Sequence, residues 1–134
     1  MNIREYPKKY VDAIDSWDMD TLNAIVDDNV TMIGSIPTKL EGKEALWSYL
    51  RNLKSAMPDL KHTIKEVCAE NDWVSAHYWL EGTQTGELNG IPASNNKVSF
   101  GGLGMLKVTD GKIVQLIVYF DGVSIIQQLG VMPK

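Results

Sequence analysis

The stretch Val98-Ser-Phe-Gly-Gly-Leu-Gly-Met-Leu-Lys-Val-Thr-Asp-Gly-Lys-Ile-Val-Gln-Leu-Ile-Val-Tyr-Phe-Asp121 decides the fold. Two apolar runs of strand length flank Asp110-Gly111, a pair that favours the tight turn of a β-hairpin. Val98 to Val108 is read as one strand and Lys112 to Phe120 as the next. In the second, Ile113, Ile117 and Tyr119 share one face, while Val114, Leu116, Val118 and Phe120 share the other. A strand apolar on both faces must be covered on both. Gly101, Gly102 and Gly104 interrupt the first strand, where they are expected to permit a bulge and a sharp bend rather than to cradle a phosphate.

Upstream, the period is also alternating. His62, Ile64, Glu66 and Cys68 fall on one side of a strand, Asn71-Asp72 makes a turn, and Trp73 to Glu81 forms the returning strand. Before Pro58 the period is helical. Tyr6, Tyr10, Ile14 and Trp17 line one face of a first helix, with Pro7 in its opening turn. Asp20 is placed as the cap of a short second helix carrying Leu22, Ile25 and Val26. Val30 to Ser35 reads as a short strand, and Leu46, Trp47, Leu50 and Leu53 mark another amphipathic helix. Leu88 to Lys97 is the longest loop, and a last helix, Val123 to Leu129, is closed by Gly130. Helices first and a long antiparallel meander afterwards argue α+β. Helices can cover one side of such a sheet, and the bare side predicts a homodimer through the sheet.

The chain has 134 residues, a formal net charge of -4, 44% hydrophobic and 22% charged residues, which suits one domain, 1–134. Dispersed Lys and Arg in a mildly acidic chain exclude a nucleic-acid or anionic-membrane partner. No apolar run approaches the roughly 18 residues of a membrane span, and charges without an apolar run behind them at the N-terminus do not make a signal peptide. Cys68 is the single cysteine, and Asn29-Val-Thr31 matches a glycosylation triplet without any sign of secretion. The protein reads as cytoplasmic.

No Walker loop, dinucleotide fingerprint, nucleophile elbow or metal-spaced histidine pair is present. His62 and His77 have no Cys-x-x-Cys nearby, so no metal site is expected. His77, opposite in facing to Tyr78, reads either as a surface imidazole or as an acid/base of a cavity. Trp17, Trp47, Tyr78 and Tyr119 are candidate walls of a hollow between a bent sheet and its helices, to which the family resemblance given below adds Ile33 and Ile117. Asp121 is the candidate acid or base. Desolvation at an apolar rim makes a carboxylate usable near neutral pH. The competing role is N-cap of the last helix, with the carboxylate accepting backbone N–H bonds.

Trp17-Asp18-Met-Asp20-Thr-Leu, Glu41-Gly42-Lys43-Glu44-Ala45, Met57-Pro58-Asp59-Leu60 and Gly82-Thr83-Gln84-Thr85-Gly86 resemble segments of the SnoaL-like polyketide (ester) cyclases. So do Gly90-Ile91-Pro92, Asp110-Gly111-Lys112-Ile113 and Phe120-Asp121 with Gln128-Leu129-Gly130. The family belongs with nuclear transport factor 2 and ketosteroid isomerase. The resemblance implies a cone-shaped α+β barrel, a curved antiparallel sheet wrapped around N-terminal helices with a central apolar pocket, usually dimeric. It implies Asp121 as acid/base of an intramolecular aldol closure, and no metal or organic cofactor.

Gln84 stands where the family commonly has histidine, and Ile33 where a second histidine is frequent. Gln84 keeps a donor and an acceptor there and could orient a substrate carbonyl. The expected function is a cofactor-independent cyclase or isomerase of a hydrophobic, polyketide- or terpenoid-like carbonyl metabolite. Epoxide opening on the same fold and a non-catalytic ligand-binding or dimerising domain are the alternatives.

Overall fold

Apolar spacing in the first 25 residues makes two helices whose junction is capped from the side. The computed structural model describes residues 1–131. After a 3-10 turn at Ile3–Glu5, α1 (Tyr6–Ser16) buries Tyr6, Tyr10, Val11, Ala13 and Ile14 along one face. It stops where Trp17 turns left-handed, and α2 (Met19–Ile25) begins at once. Its cap is Asp18, not Asp20: the Asp18 carboxylate accepts from Thr21 N at 3.1 Å and from Thr21 Oγ1 at 2.6 Å. Asp20 lies inside the first turn, where a carboxylate suits the helix dipole. The Asp18 carboxyl is held below its usual range by these Thr21 bonds.

The strands are β1 (Val26–Gly34), β2 (Leu40–Glu41), β3 (Lys61–Glu70), β4 (Trp73–Thr83), β5 (Lys97–Thr109) and β6 (Lys112–Phe120), with α3 (Lys43–Ala56) between β2 and β3 and α4 (Gly122–Gln128) last. They form one sheet ordered β2-β1-β6-β5-β4-β3. The architecture is the expected α+β, but the sheet is mixed and open. Strands β3 to β6 make the antiparallel meander, and β1 joins β6 in parallel, with Met32 beside Leu116 and Gly34 beside Val118. A parallel neighbour is what a crossover through α3 and four intervening strands produces. The ends β2 and β3 do not meet, so no closed barrel forms.

Asp110 and Gly111 both have positive φ, which is the hairpin turn their identities favour. The glycines of β5 make no bulge: β4 and β5 pair in unbroken register from Trp73↔Lys107 to Thr83↔Lys97. The register shift lies at Lys107/Val108, opposite the start of β6. That extra residue changes the facing of Ile113, which is fully buried like Leu116 instead of sharing the outer face with Ile117 and Tyr119. At Gly34, β1 runs tightly against β6. A Cβ there would lie 1.8 Å from the Val118 carbonyl oxygen, so only glycine fits.

Alternation on β4 divides the molecule. Val74, Ala76, Tyr78 and Leu80 face inward; Trp73, Ser75, His77 and Trp79 face outward. Inside, the core includes Ile14, Leu22, Leu46, Met57, Val98 and Leu116. Outside, Leu103 pairs with Tyr119, Met105 with Ile117, and Ile117 with Ile33, leaving an exposed apolar field that continues to Trp79.

Candidate functional site

Between the inner face of the sheet and the helices lies a cavity of about 700 Å³. Its walls are mostly apolar, among them Val11 and Ile14 from α1, Leu53 from α3, Phe100 from β5, and Leu116, Val118 and Phe120 from β6. Ile125 and Ile126 of α4 and Leu88 and Ile91 of the β4–β5 loop help enclose it. The ionisable side chains on this lining are His62, Glu87 and three tyrosines, and neither lysine nor arginine takes part.

His62 opens β3, and Asp15 comes from the last turn of α1. Asp15 grips it twice: Oδ2 accepts the His62 backbone N–H at 2.7 Å, and Oδ1 lies 2.7 Å from Nδ1. An ionised carboxylate only accepts, so Nδ1 is the donor of this bond, and in the neutral imidazole that leaves the lone pair on Nε2. The His62 side chain is 8% exposed and that of Asp15 18%. Lys54 donates to the Asp15 backbone oxygen at 2.6 Å, tying the end of α1 to α3. Nε2 has no protein partner among the described residues, and since no buried side-chain polar atom is left unpaired, it keeps some accessible surface on a residue that lines the cavity. This constellation can hold a base against an apolar ligand.

The His62 ring packs on Tyr78 at 5.8 Å between centroids. Tyr10 of α1, Tyr49 of α3 and Tyr78 of β4 all border the cavity. Burial pushes the Tyr10 phenol above its usual range, and Tyr49 and Tyr78 push the same way. Tyr78 is raised by burial and then by Tyr49, and Tyr49 by burial. All three are neutral donors throughout the neutral range.

Of the residues expected at the site, Tyr78 lines the cavity. Asp121 stands outside the lining, exposed, as the N-cap of α4, with its carboxylate accepting from Ser124 N at 3.0 Å. Gln84 is fully buried but turned into the β4–β5 loop: Nε2 donates to Ile91 O at 3.0 Å and Pro92 O at 3.1 Å, and Oε1 accepts from Ser94 N at 3.1 Å. Ile33, Ile117 and Tyr119 lie on the outer face of the sheet, as strand alternation dictates. Trp47 is packed in the core and Trp17 is half-buried at the end of α1, both away from the cavity. His77 is on the outer face, 3.3 Å from Glu66.

Sequence reading passed over Asp15 and His62 because they are 47 positions apart. A signal was present in the shared inward spacing of His62 and Ile64, but nothing local names the partner. Among the described residues no group of three or more His, Cys, Asp or Glu converges to hold a metal ion.

Four helices packed on a six-stranded sheet around an apolar hollow are the architecture of the nuclear transport factor 2-like superfamily. The chain belongs to the SnoaL-like polyketide cyclase family, whose sequence model matches residues 5–129. It is similar in fold to TsrD from Streptomyces laurentii, at 24% identity and a TM-score of 0.86 over 97% of this chain and 96% of that one. A SnoaL-like polyketide cyclase from Agrobacterium tumefaciens aligns at 22% identity and TM-score 0.80, covering 97% and 99%. An LEH-like epoxide hydrolase from M. tuberculosis aligns at 18% identity and TM-score 0.76, covering 95% and 88%. No curated protein sequence matches the chain.

Proposed function

We propose that the protein is a cofactor-independent cyclase or isomerase that moves a proton alpha to a carbonyl of a hydrophobic, polyketide- or terpenoid-like metabolite. The observation that carries this reading is the Asp15–His62 pair opening on an apolar cavity. His62 Nε2 takes the proton, and Asp15 fixes the tautomer and the ring plane, as an orienting carboxylate does. Ring closure or double-bond migration follows from the same enolate, and the apolar walls hold the substrate in its reactive shape. The family membership supports the reaction class. The base is assigned to His62 in preference to Asp121, whose carboxylate is occupied by capping. The outer apolar field receives a second copy of the chain, in the cytoplasm.

The test is catalysed hydrogen–deuterium exchange at the activated carbon of hydrophobic 1,3-diketones, followed by mass spectrometry. His62→Gln is expected to lower the exchange rate by about 100-fold or more, and Asp121→Asn to stay within about threefold. The reverse order would return the base to Asp121. Tight binding without catalysed exchange would make the protein a carrier.

A further inference from the structure

Tyr10, Tyr49 and Tyr78 come from three different elements and border one cavity, and none of their hydroxyls has a protein partner among the described residues. Since no buried side-chain oxygen is left unpaired, each hydroxyl keeps some accessible surface, and all three residues line the same cavity. Three unclaimed donors in a mostly apolar hollow are a site for an acceptor.

The position of one donor is set by a glycine. Tyr78 faces Gly102 across the β4–β5 ladder, and its ring lies over the glycine instead of extending past it. A Cβ at position 102 would stand 2.4 Å from the Tyr78 hydroxyl oxygen and 2.5 Å from Cζ, closer than such atoms approach. Gly101 does the same for Trp79 on the opposite face, with a Cβ 3.0 Å from the indole ring. The two glycines thus seat two aromatic rings on two sides of one strand.

We propose that Gly102 is a positioning residue that seats the Tyr78 hydroxyl so that it donates, with Tyr10 and Tyr49, to one substrate oxygen as negative charge develops there. This rests on the reading of His62 as base. The proton leaves the substrate for His62 Nε2, and the electron pair moves to the oxygen. Imidazolium and oxyanion then share the cavity, and charge is balanced. With no lysine or arginine on the lining, the site takes a molecule that is uncharged before reaction, a ketone or a phenol, and not a free carboxylate or phosphate. Neutral phenols suit this task because they donate without titrating.

The probe is a hydrophobic nitrophenol that is half-ionised near neutral pH, bound to the full chain and read by absorbance. Wild type is expected to bind it as the phenolate. Tyr78→Phe and Gly102→Ala should each weaken phenolate binding by about tenfold or more. Gly101→Ala, a milder crowding of β5 on the other face, should leave the bound phenolate fraction unchanged whatever it costs in stability. Wild-type phenolate binding in both Tyr78→Phe and Gly102→Ala overturns the proposal, even if diketone exchange proceeds. Should Gly102→Ala not fold, Tyr78→Phe still decides for the donor, and Gly102→Ser rescued by Tyr78→Leu decides whether the clash is local. Phenolate binding that depends on Tyr78 without any diketone exchange would sustain the oxyanion site and sink the enzymatic reading alone.

Discussion

Two histidine–carboxylate pairs stand on opposite faces of the same sheet. His62 and Asp15 meet inside, at 2.7 Å, with a second bond from the same carboxylate to the histidine backbone. His77 and Glu66 meet outside, at 3.3 Å, with side chains 42% and 73% exposed. The residue types are nearly the same, and their surroundings make them different objects. The inner pair holds one geometry because burial and two bonds leave no other. The outer pair is screened by water, pays side-chain entropy to stay together, and contributes little. What makes a histidine chemically useful here is the fixed partner and the dry side it faces.

The comparison can be broken most severely at Asp15. Asp15→Ala strands the His62 backbone N–H and ring N–H, and is expected to cost about 2–4 kcal/mol in urea unfolding. Asp15→Asn should keep most of the stability but present the wrong tautomer, lowering exchange by about 10- to 1,000-fold. The outer face is challenged by Leu103→Lys, which buries a charge if two copies meet there. A loss of about 2 kcal/mol in dimer stability is expected by sedimentation, with phenolate binding retained.

The inner phenols give a smaller, pH-dependent effect. Their folded-state pKa values lie above the unfolded value, so the stability linked to them is complete below about pH 10 and is lost as pH rises beyond it. Tyr10→Phe should therefore be more stable than wild type by roughly 1 kcal/mol one pH unit higher, judged from urea midpoints at neutral and alkaline pH. The smallest change belongs to the outer pair. His77→Ala should shift stability by less than about 0.5 kcal/mol.

Much of the fold was legible because it is written in short-range patterns. Alternation placed Tyr78 and His77 on opposite faces of β4, and Asp110-Gly111 announced its turn. Where one extra residue enters the ladder, parity fails, and Ile113 changes sides. The cap of α2 was displaced by two positions because Asp18 and Asp20 are alike in sequence and differ only in which one reaches Thr21 N. The site was less legible. Asp15 and His62 become partners only when α1 packs beside β3, and the phenols converge from three elements. Gln84 stood out in the sequence as a candidate to orient a carbonyl, but where its amide points depends on the path of the loop that follows it.

That loop has a consequence for how this chain can diverge. Gln84 answers three backbone groups at once, the carbonyls of Ile91 and Pro92 and the N–H of Ser94. An imidazole has two ring nitrogens and could serve at most two of them. Gln84→His would therefore orphan one backbone group and loosen the fastening. Position 84 works as a latch: a histidine can be accepted there only if the loop is rewritten first.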